Sequence, residues 1–262
     1  MKPYKTIKTI TEGHTATVWL KRPEQRNAMN QQMVHELLDC IAVMENDPNV
    51  RVLVLRGKGN HFCSGADLKW MKDKGLKEKE RPHYLLPRLF LALFDFSKPL
   101  LVAVNGHAMG GALGLTACGD FVFAGEEAVF SFSEVKLGLI PATISPFVVR
   151  RIGELKSRQL MLSGVRINAK TAKEAGLADE IVPAGEMDRM LREFAGQLSE
   201  NAPRAMQLVK PLIRKVSAEK MGKALTDYTA AMLLKVQEGE EAKEGMTAFL
   251  EKRKPAWPDN PD

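Results

Sequence analysis

Cysteine is scarce in this chain: three in 262 residues, Cys40, Cys63 and Cys118. They are odd in number, widely spaced and free of any CxxC pair, which argues against a disulfide framework and for a reducing compartment, the cytoplasm. The five histidines (His14, His35, His61, His83 and His107) have no ligand spacing, so no metal site is expected. No apolar run approaches the ~18 residues that span a bilayer. The opening MKPYKTIKTITEG alternates where a signal peptide would carry an apolar block. Repeats, low-complexity tracts and a linker between domains are also absent. With 45% hydrophobic and 27% charged residues, a disordered or collagen-like chain is excluded, and one large core is affordable by length. Acidic residues run short of basic ones, giving a net charge of +6. That is the charge of a polyanion binder or of an ordinary solvated surface rich in lysine. The basic residues are scattered, with no RNP-like or zinc-knuckle pattern, so nucleic acid is the minority option.

What is present is a repeated order of strand and helix. Residues 4–10 and 14–20 alternate like two strands joined at Glu12-Gly13. Asn30 can cap a helix through QQMVHELLDCIAVMEN, where Met33, Leu37, Leu38, Ile41 and Met44 fall at helical spacing. VRVLVLRG at 50–57, LLVAV at 100–104 and DFVFAG at 120–125 read as buried strands. This alternation predicts a parallel, layered α/β body with right-handed crossovers. The Lys- and Glu-rich stretch KDKGLKEKERP reads as an exposed, mobile loop before the amphipathic PHYLLPRLFLALFDF. Beyond Pro141 come short helical pieces split near Gly153 and a last strand in LADEIVP; from about Gly185 nearly everything reads as helix. Leu225, Met232, Leu233 and Val236 form an apolar stripe there, more than a core of this size needs, and oligomer contacts account for the excess.

Two strand–glycine–helix corners stand out. In VNGHAMGGALGL, Gly110-Gly111 opens the helix from Ala112 to Cys118; in HFCSGADLKWM, Ser64-Gly65 breaks a short strand before Ala66-Asp67-Leu68-Lys69 starts another helix. Glycines at such corners let a ligand approach the backbone, and the free N–H groups of the new helix face it. Further on, Glu134 stands among Phe130, Phe132, Val135 and Leu137, where a carboxylate is costly unless paired, neutralised or used. Together they form an anion-stabilising corner and a candidate acid/base. The bland reading of each is an ordinary turn and a salt-bridged strand residue. Cys63 has no evident basic partner and reads as a small packing residue, His107 as a loop histidine satisfying backbone groups. Asp67 reads as the cap of its helix and Asp120 as an anchor for the glycine corner.

HFCSGADLKWM, NGHAMGGALGL and FSEVKLGLIP, in this order, resemble the crotonase superfamily, the enoyl-CoA hydratase/isomerase proteins, and the likeness runs from RPEQRNAMN at 22–30 to GMTAFLEKRKPAW at 245–257. It implies a crotonase-like layered spiral of strand–strand–helix units, an α/β fold with a helical C-terminal region. Residues 1–200 are then the core with the acyl-CoA site. Residues 201–262 build oligomer contacts and close the CoA pocket, in a homotrimer or a hexamer made as a dimer of trimers. The resemblance places the N–H groups of Ala66 and Gly111 in an oxyanion hole for the thioester carbonyl and makes Glu134 the proton carrier. Around them it sets Ala28, Ser64, Asp67, Leu68, Lys69, Gly110, Gly114, Phe249 and Lys252 as substrate- and CoA-binding positions. No separate cofactor is implied, since coenzyme A is part of the substrate.

One position departs from the family's hydratases, which carry a second glutamate where this chain has Gly114. A glycine there is expected to open space for a branched or acidic acyl group. SEVKLGLIPATISPFVVRRIG also lacks the family's glycine-rich turn and is similar to the methylglutaconyl-CoA hydratases of leucine and isoprenoid breakdown. The resemblance therefore implies hydration of a 2-enoyl-CoA, methylglutaconyl-CoA first. An isomerase or decarboxylase using Glu134 alone is the alternative, and an RNA-binding protein on the same scaffold a more distant one.

Overall fold

The strand pattern in TATVWL alternates because one face meets the core: Ala16, Val18 and Leu20 are buried while Thr15, Thr17 and Trp19 are half-buried. The computed structural model describes residues 3–257, so the outermost ends of the two expected regions (1–2 and 258–262) lie outside them. In chain order the strands are β1 (Ile7–Glu12), β2 (Thr15–Leu20), β3 (Val52–Gly57), β4 (His61–Cys63), β5 (Leu100–Val104), β6 (His107–Met109), β7 (Phe121–Gly125), β8 (Val129–Ser131), β9 (Ile167–Asn168) and β10 (Glu180–Val182). The helices are α1 (Gln31–Asn46), α2 (Leu68–Lys72), α3 (Pro82–Asp95), α4 (Ala112–Cys118), α5 (Ser145–Ser163), α6 (Ala169–Ala175), α7 (Met187–Ser199), α8 (Pro203–Ala218), α9 (Lys223–Gln237) and α10 (Glu240–Leu250).

The longer strands make one sheet in the order β1-β2-β3-β5-β7-β10, parallel throughout except for the β1–β2 hairpin. Glu12 pairs with Thr15, so the turn falls on Gly13-His14, with Gly13 at φ +56°, and not on Glu12-Gly13. The first strand also starts at Ile7 and not at residue 4, because Glu36 of α1 takes the backbone N–H groups of Lys5 and Thr6 at 2.9 and 2.7 Å. The shorter strands make a second sheet, β4-β6-β8-β9, which only HFC foreshadowed in the sequence. Three strands of the large sheet, β3, β5 and β7, are each followed by a short one, and in two of these cases then by a helix: β3-β4-α2 and β5-β6-α4. That is the strand–strand–helix spiral expected.

One face of the large sheet meets α1, α3, α4 and α5 over a core that includes Leu53, Leu55, Phe62, Phe90, Val102 and Phe130. The other face, Val52, Val54, Leu101, Ala103 and Phe123, is covered by Leu191 and Ala195 of α7. With both faces covered, β5 is buried at every position, which is why LLVAV reads as a continuous apolar run. Asn30 caps α1 as expected, its Oδ1 accepting from Met33 N at 2.9 Å. A break at Gly153 (φ +75°) divides α5 into the two pieces the sequence indicated. Asp120 acts elsewhere than expected: it accepts from Leu100 N and Lys210 Nζ, both at 2.8 Å, and so pins the start of β5 to α8, at the far end of that strand from the glycine corner. The C-terminal stripe divides as well, Leu225 being buried and Leu233 and its neighbour Leu234 exposed.

Candidate active site

Both corners belong to the second sheet, where β4 and β6 run side by side and parallel. Each ends in glycine, Gly65 at φ +90° and Gly110 at φ +53°. The two turns are in contact, since a β-carbon at Gly65 would lie 2.8 Å from the Met109 carbonyl and 3.1 Å from Gly111 N. Any side chain at residue 65 would force them apart. Ala66 forms an isolated parallel bridge with Met29. Its hydrogen bonds use the neighbours of Ala66: Met29 N donates to Gly65 O and Asp67 N to Met29 O, each at 2.8 Å. In a parallel pair the bridging residue's own N–H then points to the opposite side. Among the described residues nothing accepts from Ala66 N or from Gly111 N, and a β-carbon at Gly111 would lie only 3.6 Å from Ala66 N. Two free donors therefore share one small patch, with the start of α4 behind one of them.

Glu134 begins a single 3-10 turn after β8. Its carboxylate lies against the second corner, Oε1 being 3.3 Å from where a β-carbon of Gly110 would sit. Oε2 is buried and has no hydrogen-bond partner. Burial pushes this carboxyl above its ordinary value of 4.5, its own backbone N–H pulling weakly the other way. Phe130 and Phe132, neighbours of Glu134 in sequence, are buried in the core, whereas Leu137 turns outward and is 59% exposed. A carboxyl raised in this way can take up or release a proton next to donors that stabilise a developing oxyanion.

Gly114 does not open the space expected of it. Its β-carbon position is 2.6 Å from Ile144 Cγ2 and 2.8 Å from Phe90 Cε1 and Cζ, so α3 and the start of α5 fill the gap that a side chain would occupy. Asp67 caps α2 as expected, accepting from Lys69 N at 2.9 Å. The same carboxylate takes Arg22 Nη2 at 3.0 Å, while Arg22 Nη1 donates to the carbonyl of Ala28. Arg22 therefore ties two of the positions assigned to the CoA moiety together, a role its place in RPEQRN gave no sign of. Ser64 N donates to Arg26 O at 3.0 Å, and Leu68 and Lys69 are exposed beside it. Among the described residues no hydrogen bond brings Phe249 or Lys252 to this patch: Phe249 is 83% exposed on α10, whose Glu241 holds the N–H groups of Arg204 and Ala205 at the start of α8. Burial pushes the Cys63 thiol up to about 12, the behaviour of a packing residue. His107 stands on β6 with its ring 4.9 Å from that of His61. The charged loop is tied down at its end by Glu80, which accepts from Gln31 Nε2 and meets His35 Nε2 at 2.8 Å, while Trp70 Nε1 donates to its carbonyl at 3.0 Å.

The sequence model of the family described as Enoyl-CoA hydratase/isomerase matches residues 11–260. A putative enoyl-CoA hydratase from Thermus thermophilus is 36% identical over 254 residues, covering 95% of this chain and 99% of that protein. The 2,3-dehydroadipyl-CoA hydratase of Escherichia coli is 32% identical, over 90% of this chain and 92% of its own. Among solved structures, Pseudomonas aeruginosa AtuE superposes with a TM-score of 0.91 at 34% identity, covering 97% of this chain and 99% of that one.

Proposed function

The chain belongs to the enoyl-CoA hydratase/isomerase family, and from that premise we propose that it adds water across the double bond of a 2-enoyl-CoA thioester. One arrangement supports this reading: two free backbone donors, Ala66 N–H and Gly111 N–H, beside the buried, unpartnered Oε2 of Glu134. The thioester carbonyl sits on the two donors. As the water oxygen bonds to Cβ, the electron pair of the double bond moves onto that carbonyl oxygen as an enolate. Glu134 takes a proton from the water and delivers it to Cα, and the enolate collapses back to the thioester. Loss of one such donor typically raises the barrier by ~2.7–4 kcal/mol. The CoA portion lies along Ala28, Ser64, Asp67, Leu68 and Lys69, and no cofactor enters any step. The second reading, isomerisation or decarboxylation by Glu134 alone, is favoured by one observation, the absence of a carboxylate at Gly114.

Methylglutaconyl-CoA is the substrate we place first. This finer choice rests on the resemblance of the stretch around Glu134, since the room at Gly114 that would have favoured a branched acyl group is filled by Phe90 and Ile144. The exposed apolar residues of α8, α9 and α10, Ile213, Leu233, Leu234 and Phe249 among them, support a homotrimer or hexamer. Among the described residues no helix is long and apolar enough to cross a membrane.

The test is turnover of crotonyl-CoA, methylglutaconyl-CoA and a 3-enoyl-CoA by wild type and Glu134→Gln. Hydration of a 2-enoyl-CoA is expected, reduced roughly 10²–10⁴-fold in the variant. Because burial raises the carboxyl, protonation persists to higher pH, and the acid limb of kcat/KM must lie above 4.5 and be missing from the variant's residual activity. Turnover of the 3-enoyl-CoA alone would transfer the assignment to isomerisation.

A further inference from the structure

Hydration needs a group that aims the water at Cβ, and at Gly114 the structure has neither a side chain nor room for one. Three hydroxyls lie on the elements around the second corner. Thr116 Oγ1 donates to Ala112 O at 3.1 Å within α4, and Ser131 Oγ donates to Gly164 O at 3.1 Å. Both are fully buried in those bonds. Ser133 differs. It stands at the cap position of the 3-10 turn that begins with Glu134, yet its side chain makes no capping bond. Among the described residues its hydroxyl has no other hydrogen-bond partner either. Its Oγ lies 3.6 Å from the β-carbon position of Gly110, the same point from which Glu134 Oε1 is 3.3 Å away. The two adjacent side chains thus converge on one side of the glycine corner, one as a carboxylate with a spare oxygen and the other as a half-buried hydroxyl with nothing to bind.

We propose that Ser133 is a catalytic residue that holds the attacking water, in partnership with Glu134. The proposal rests on the hydratase reading. The hydroxyl accepts a hydrogen bond from the water and leaves an oxygen lone pair directed at Cβ. It cannot take up the proton, so that duty stays with Glu134: the water's O–H bond breaks, its proton passes to the carboxylate, and the carboxyl proton goes to Cα. The sequence departs from a two-carboxylate site by dividing the work between one carboxylate and one hydroxyl from consecutive residues.

Two reactions separate the roles. Exchange of the α-protons of butyryl-CoA in D2O requires the two N–H donors and Glu134 but no water at Cβ. Hydration of crotonyl-CoA, or of whichever 2-enoyl-CoA wild type turns over best, requires all of them. Ser133→Ala should lose on the order of 10²-fold in hydration kcat, the usual consequence of a misplaced reactant, with exchange kept within a few-fold of wild type. Ser133→Thr, which retains the hydroxyl, should recover most of the hydration. Circular dichroism confirms that both variants fold. Hydration by Ser133→Ala at the wild-type rate overturns the proposal, as does an equal fall in hydration and exchange, which would make Ser133 a support for Glu134. Undiminished exchange in Glu134→Gln would instead sink the assignment of the proton carrier. A wild type that exchanges α-protons without hydrating any enoyl-CoA would overturn the hydratase reading and this one with it.

Discussion

Gly111, at the cap of α4, and Gly114, inside it, stand about one turn apart, and the same substitution at each has opposite consequences. A methyl at Gly111 meets nothing closer than Met29 Cε at 3.4 Å and Ala66 N at 3.6 Å. Gly111→Ala should therefore fold normally while its methyl covers the neighbouring donor. Activity falls roughly 10²–10³-fold, as for a lost oxyanion donor. At Gly114 the methyl meets Ile144 and Phe90 below 3 Å. Overpacking of about 1–3 kcal/mol outweighs the ~1 kcal/mol that alanine gains over glycine in a helix. Gly114→Ala should thus melt lower, by about 2–4 °C for each kcal/mol lost. Thermal unfolding and turnover of both variants check the contrast; a destabilised Gly111→Ala or a stabilised Gly114→Ala would contradict it. The sequence could mark Glu134 by its apolar neighbours and Gly111 by its place at a corner. It could not show that Phe90 and Ile144, from two other segments, close the space beside Gly114, because nothing local records which distant side chain fills a gap.

Among the elements, the long strands were legible and the short sheet largely was not. LLVAV and VRVLVLRG announce themselves by length and β-branching. HAM and VFS, β6 and β8, span three residues each, too few to display a period of two, yet β6 delivers Gly111 and β8 leads to Glu134. The helices fared better because their caps are local: Asn30 and Asp67 both cap as read. The clip made by Arg22 belongs to this scale, since it joins the turn before α1 to the start of α2. Its guanidinium spans two acceptors, Asp67 Oδ2 and Ala28 O, with both ion-pair partners mostly buried. Arg22→Met should raise KM for the acyl-CoA several-fold, with a smaller change in kcat, because the catalytic groups themselves stay in place. Arg22→Lys should behave similarly, a single ammonium being unable to reproduce the fork. Steady-state kinetics decide; an unchanged KM in both variants would remove Arg22 from substrate binding.

On the scale of the whole molecule, the exposed apolar residues of the C-terminal helices are the surface on which the proposed trimer or hexamer rests. Leu233 and Leu234 are adjacent on α9 and each is 59% exposed. Replacing both with lysine should leave the core untouched and lower the sedimentation coefficient from that of a trimer or hexamer toward a monomer. An unaltered coefficient would place the contact elsewhere. The excess of apolar residues was legible in sequence, but Leu225 and Leu233 read alike there, and only the packing of the helices turns one in and the other out. The joined corners have a consequence for synthesis. Ala66 and Gly111 come from separate passages of the spiral, and Glu134 follows both. A chain leaving the ribosome therefore cannot bring Ala66, Gly111 and Glu134 together until its first half has emerged. The patch then forms by closing a long loop, not by local coiling, a slower kind of event. On the proposed mechanism, the nascent protein gains activity toward thioesters only once Glu134 has joined the two corners.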